Sequence, residues 1–286
     1  MMSRLLPVLC ASALLTLMNS GAALAESVLD RIRGQAEIRL AYRDDAAPFS
    51  YRAGGAAEPA GYSVDLCRAV AKAVQTELKL PELKVVYVPV TVDDRFAAIA
   101  DGKADLLCEA TTETLARRAL VDFSIPTFVS GAGLMIQPGG PGSFEELAGK
   151  KIGVLGATTT EDGLREFLKE HKLVAEIVPV RSHPEGFEHL RSGAIVAYFG
   201  DRTIMRYYLL QNNLDGKLLL ADQYLSVEPY ALALPHDPDF RLAVDRALSR
   251  LFRNGKVKAL FAKTFGQDAQ PTELVKGLYL SVGLPE

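Results

Sequence analysis

The 286-residue chain has no tryptophan, only three cysteines and only four histidines, and the histidines are scattered. Cys67 and Cys108 have no histidine near them in the sequence, so no metal-ligand spacing can be read there. No Ser/His/Asp or Cys/His set has a spacing that suggests nucleophilic hydrolysis. Positive charge is not in excess: 32 Lys and Arg stand against 35 Asp and Glu, a formal net charge of −3. That balance offers nucleic acid no electrostatic footprint. Long polar tracts are missing too, and the composition is that of an ordinary globular protein. The one long apolar run, residues 5–17, is too short to span a bilayer, and no second span follows it.

That run reads as part of an export leader. Arg4 supplies the basic start, residues 5–17 the apolar centre, and Ala23-Leu24-Ala25 a small-residue cleavage site. Glu26 is then the expected first residue of the mature chain. Cys10 lies inside the apolar run after Leu9, which does not suit lipid attachment. Loss of residues 1–25 leaves 261 of the 286 residues and moves the net charge from −3 to −4, because the leader holds one basic residue and no acidic one. A chain of that length can build two lobes with separate cores. Export places Cys67 and Cys108 in an oxidising compartment, where they either pair or remain two buried thiols. A bridge between them would tie a helix to a sheet.

Short apolar runs at residues 37–42, 84–88, 151–155, 176–180, 195–199 and 217–220 read as strands. Between them lie helical patterns. Ser63 is a credible N-cap for the first, whose apolar face is Val64, Cys67, Val70, Ala71 and Val74. Later helices are expected at about 156–170, 184–191, 202–210, 240–252 and 257–265. The alternation predicts α/β lobes with mostly parallel sheets. The turn-rich stretch Pro138-Gly139-Gly140-Pro141-Gly142 lacks the strand-to-helix frame of a phosphate loop.

One segment carries more chemistry than the rest. After a buried apolar run from Asp105, the hydroxyls Thr111 and Thr112 are followed by a helical turn that opens at Thr114 and carries Arg117 and Arg118. A guanidinium fork beside a hydroxyl suits a small carboxylate, and helix N-termini favour anions. A solvated Arg pair after a turn is the plainer reading of the same residues.

This segment resembles the carboxylate-binding segment of the type II periplasmic solute-binding proteins of amino-acid ABC importers. The likeness covers about residues 38–266 and is closest to the glutamate/aspartate-binding branch. It implies a two-lobed periplasmic-binding-protein type II fold with a ligand cleft and a two-segment hinge. Residues 26–131 plus 229–286 would form lobe 1 and residues 132–228 lobe 2. The resemblance implies ligand contacts from Arg43, Arg95, Thr112 and Arg117 of lobe 1. From lobe 2 it implies Thr159, which also suits simple capping, His183, and Asp201, the ammonium acceptor, which also suits an N-cap. Phe49 and Tyr51 would form an apolar wall, although Phe49 also suits a core plug under a turn.

An amino-acid zwitterion uses Arg117, Thr112 and Thr159 for its carboxylate and Asp201 for its ammonium. Arg43, Arg95 and His183 are then left over, which calls for a second negative group and hence for glutamate or aspartate. Val92 and Ala110 stand where the branch carries serine, which makes the pocket less polar and opens the alternative of a bulkier or different carboxylate. Glu109 either faces the cleft or lies at the surface. The resemblance implies a periplasmic monomer without cofactor or metal, whose partners are a small amino acid or carboxylate and an inner-membrane ABC permease. A different class on the same fold is a cyclohexadienyl dehydratase-like enzyme, with Glu109 or His183 as general acid. A sensor domain is a third class.

Overall fold

The computed structural model describes residues 26–285; the expected leader, residues 1–25, lies outside them. Helix α1 (Val28–Gln35) leads into β1 (Glu37–Tyr42), and a small hairpin of β2 (Asp45–Ala46) and β3 (Ser50–Tyr51) follows. Next come α2 (Tyr62–Glu77), β4 (Lys84–Pro89), α3 (Arg95–Ala100), β5 (Leu106–Leu107), α4 (Leu115–Arg118) and β6 (Asp122–Phe123). Strand β7 (Phe128–Ser130) then carries the chain to β8 (Ala132–Ile136), β9 (Lys151–Leu155), α5 (Thr159–Glu170), β10 (Glu176–Val180), α6 (His183–Ser192), β11 (Ala197–Asp201), α7 (Arg202–Gln211) and β12 (Leu219–Tyr224). It returns through β13 (Glu228–Tyr230), paired antiparallel to β7, into β14 (Ala233–Leu234), α8 (Pro238–Arg253), α9 (Val257–Phe265) and α10 (Glu273–Val282).

Two five-stranded open sheets result, in the orders β4-β1-β5-β14-β6 and β10-β9-β11-β8-β12. The fold is the mixed α/β, two-lobed periplasmic-binding type. In each sheet the first three strands are parallel and the last two pairings antiparallel. Four of the five strands in each sheet therefore share one direction, as expected, with β14 in the first and β8 in the second reversed. Strands β8 and β14 each follow a crossing segment, so the chain enters the second or the first sheet from the opposite end.

The expected face of α2 is buried: Val64, Cys67, Val70, Ala71 and Val74 all lie in the core. Its start differs. Tyr62 is the first helical residue and Gly61 precedes it at φ +126, where a Cβ would fall 2.3 Å from the Phe49 carbonyl oxygen. Only glycine fits there. Ser63 is freed from capping and donates instead to the Glu109 carbonyl at 2.9 Å. Cys67 on α2 and Cys108 after β5 form a disulfide, with Cα atoms 6.1 Å apart. Helix α10, absent from the sequence reading, packs Tyr279 on Phe252 and bonds its hydroxyl to Tyr62 at 2.5 Å.

Candidate functional site

The charged side chains gather where strands end and helices begin, the usual place for ligands in open α/β sheets. Arg43 follows β1, Arg95 opens α3, and Glu109 and Thr112 follow β5. From the second sheet, Thr159 opens α5, His183 opens α6, and Asp201 ends β11. With Arg117 of α4 and Tyr230 of β13 they line one cavity. The cavity is small, about 40 Å³, with room for a few waters. Contacts between the two halves close it: Arg95 Nη2 donates to the Ala157 carbonyl at 3.2 Å, Thr159 Oγ1 to Thr112 Oγ1 at 3.3 Å, and the His183 amide to Asp45 Oδ2 at 3.2 Å.

Seven of the eight expected contact residues therefore converge. Phe49 does not. Its ring is fully buried and meets Tyr62, Phe128, Tyr230 and Phe265 edge-on, so it is a core plug beneath the cleft. Tyr51 turns instead toward Tyr207, away from the cavity.

Arg117 is the one cavity guanidinium without an ion pair among the described residues. Thr114 caps its helix by accepting the Arg117 amide, and Arg117 Nη1 donates to the Thr112 carbonyl at 2.7 Å. Burial holds its pKa below the ordinary arginine value. Its guanidinium lies over the Phe96 ring, 5.1 Å from the centroid. Thr158, not Thr159, caps α5, so the Thr159 hydroxyl is free to reach Glu228 Oε2 at 3.0 Å.

Asp201 lines the cavity and caps α7. Its carboxylate accepts the Ile204 amide at 2.7 Å as the N-cap of α7, and it also accepts the Tyr230 hydroxyl. Burial pushes its pKa up to about 6, against the hydrogen bonds from Ser130, Tyr230 and Ile204. His183 is buried with Nδ1 2.9 Å from the Tyr198 hydroxyl. Burial, with the nearby Arg43 adding to it, pushes its pKa down to about 4. It is therefore neutral at physiological pH and is not a spare cation.

The other two arginines are not spare either. Arg43 forks onto Asp45, with Nε to Oδ1 at 2.9 Å and Nη2 to Oδ2 at 2.7 Å, and its Nη1 lies 3.5 Å from Glu109 Oε2. Arg95 places Nε 3.1 Å from Glu109 Oε1. Burial pushes the Arg95 pKa down to about 10, with Glu109 opposing the shift, so it stays charged at neutral pH. Glu109 is not a surface carboxylate: it is buried between the two guanidiniums. Buried Glu228 adds a fourth acid, taking the hydroxyls of Thr112, Thr159 and Ser226. The excess of positive charge inferred from the sequence is thus corrected: Asp45, Glu109 and Glu228 join Asp201. Asp45 stands two residues after Arg43 and Glu228 at the expected end of lobe 2, but neither position by itself signals a partner for the cavity's side chains.

The sequence matches the family model of bacterial extracellular solute-binding proteins, family 3, over residues 38–267. It is 31% identical to the L-glutamate/L-aspartate-binding protein of Pseudomonas aeruginosa, across 99% of this chain and 94% of that one. It is 30% identical to the glutamate/aspartate import solute-binding protein of Salmonella typhimurium, across 91% and 87%. A solved structure of the ancestral amino acid-binding protein AncCDT-1, a precursor of cyclohexadienyl dehydratase, superposes with a TM-score of 0.73 at 27% identity, covering 84% of this chain and all of that one. The chain belongs to the bacterial extracellular solute-binding proteins, family 3.

Proposed function

We propose that this chain captures an α-amino acid between its two lobes in the periplasm and delivers it to the permease of an ABC importer. The observation that carries the reading is the pairing of Arg117, which has no acid partner among the described residues, with Asp201 across the same cavity. One lobe offers a cation for the α-carboxylate and the other an anion for the α-ammonium, so only a zwitterion uses both. The names of the two bacterial relatives favour glutamate or aspartate as the ligand. The contacts between the lobes match a binding protein whose ligand stabilises the closed form.

The enzyme reading is less well supported by the same geometry. Glu109 is engaged by two arginines, and His183 is neutral above about pH 4 with its Nδ1 on Tyr198, so neither is a ready proton donor. Thermal shift of ligand-stripped protein against a panel of amino acids, carboxylates and prephenate tests the proposal. A binder above its dissociation constant raises the midpoint by mass action. Shifts confined to α-amino acids support it, whereas turnover of prephenate, or shifts with simple carboxylates alone, refutes it.

A further inference from the structure

The far end of the cavity is already supplied with its own carboxylate. Each nitrogen of Arg43 faces a carboxylate oxygen, two on Asp45 and one on Glu109. Arg95 gives its two terminal nitrogens to the Val92 and Ala157 carbonyls, while its Nε, 3.1 Å from Glu109 Oε1, has no hydrogen-bond partner among the described residues. A second carboxylate brought in by a ligand would meet guanidiniums already neutralised by Asp45 and Glu109, and would lie against Glu109 itself. Two cations and two carboxylates stand here, so a ligand charge of either sign enters uncompensated.

An acceptor is left over here as well as that Arg95 donor. Glu109 is 2% exposed. Its Oε1 accepts the Thr111 hydroxyl at 2.7 Å, while its Oε2 has no hydrogen-bond partner among the described residues. The 3.5 Å approach of Arg43 is an ion pair without hydrogen-bond geometry. A buried carboxylate oxygen left in that state is one that a donor satisfies at a gain. Asp45, Arg43, Arg95, Thr111 and His183 are the polar groups that surround this end. Of these His183 commits its ring Nδ1 to Tyr198.

We infer that Glu109 is a built-in counter-ion for Arg43 and Arg95, and that the ligand's side chain ends in a neutral carboxamide, able to donate to Glu109 Oε2 and to accept from Arg95 Nε, rather than in the carboxylate that the relatives' names favour. The inference rests on the α-amino-acid reading above and names the side-chain class within it. Glutamine and glutamate are the discriminating pair, because they differ by one amide in place of one carboxylate oxygen.

The test is calorimetric titration of the full exported chain, stripped of ligand by unfolding and refolding, with glutamine, glutamate and a panel of other α-amino acids near pH 7.5. The wild type is expected to bind glutamine at least about tenfold more tightly than glutamate. Glu109→Gln removes the built-in charge, and the glutamine-to-glutamate ratio is expected to move at least about tenfold toward glutamate. The wild-type ratio needs no variant, so the inference stays testable if Glu109→Gln fails to fold. A wild type that prefers glutamate, a ratio that Glu109→Gln leaves unchanged, or binding confined to other side chains overturns the inference and leaves the α-amino-acid reading standing. Binding of no α-amino acid overturns both.

Discussion

His183 and Asp201 carry opposite pH dependences that cancel in the intact protein. The pKa of His183 is depressed from an ordinary 6.5 to about 4 by burial. Its neutral form is therefore the stable one: its contribution is complete above pH 6.5 and is lost as pH falls to 4. The pKa of Asp201 is raised from 3.8 to about 6, also by burial. Its contribution is complete below pH 3.8 and is lost as pH rises to 6. At about 1.4 kcal/mol per pH unit, each group spans about 3 kcal/mol over its window, and between pH 4 and 6 the two slopes oppose. Replacing one group should expose the other. Relative to wild type, His183→Gln should gain about 3 kcal/mol as pH falls from 6.5 to 4, and Asp201→Asn should lose about 3 kcal/mol as pH falls from 6 to 4. Urea denaturation of ligand-free wild type and both variants at half-unit steps measures this, and the variant-minus-wild-type difference cancels the other carboxylates. Flat differences for both variants would refute the burial argument.

Arg117→Ala removes a guanidinium that holds no ion pair among the described residues, only a hydrogen bond to the Thr112 carbonyl and a place over the Phe96 ring, so the melting temperature of the free protein should fall only modestly. Amino-acid affinity should drop at least about 10–100-fold by titration calorimetry, since a hydrogen bond to a charged group is worth about 1.5–3 kcal/mol. Replacing both Cys67 and Cys108 by serine opens a crosslink that spans 41 positions of sequence. The chain-entropy estimate for a loop of that size is about 4 kcal/mol, read as a lower denaturant midpoint. Gly186 lies in α6 beneath Tyr198, where an added Cβ would stand 2.2 Å from the ring. Gly186→Ala should cost about 1–3 kcal/mol by overpacking and should weaken binding as well, because Tyr198 positions His183.

The parts of the fold that a period sets were legible in the sequence. The α2 stripe shows 3.6-residue spacing, and β1, β4, β9 and β10 are apolar runs between turn signals. The candidate site residues came from the family resemblance, not from a local pattern, although Arg95, Thr159, His183 and Asp201 do sit at strand ends or helix starts. The charge balance was not legible. The direction in which Glu109 points depends on which face of a two-residue strand follows the core, and no local pattern fixes that. Asp45 reaches the site only because β2 folds back beside Arg43, and Glu228 only because β13 runs along β7. Phe49 reads the same whether it lines a cleft or plugs the core below it. Helix α10 was missed because its partners, Tyr62 and Phe252, are distant in sequence.

Arg117 and Asp201 are proposed to recognise an amino-acid zwitterion together. The most direct measurement takes the amino acid that gives the largest thermal shift and titrates it beside two analogues, its α-amide and its des-amino acid. Each analogue should lose at least about 10–100-fold in affinity, one for want of a partner to Arg117 and the other for want of a partner to Asp201. A des-amino or α-amide analogue that binds as tightly as the amino acid would contradict it.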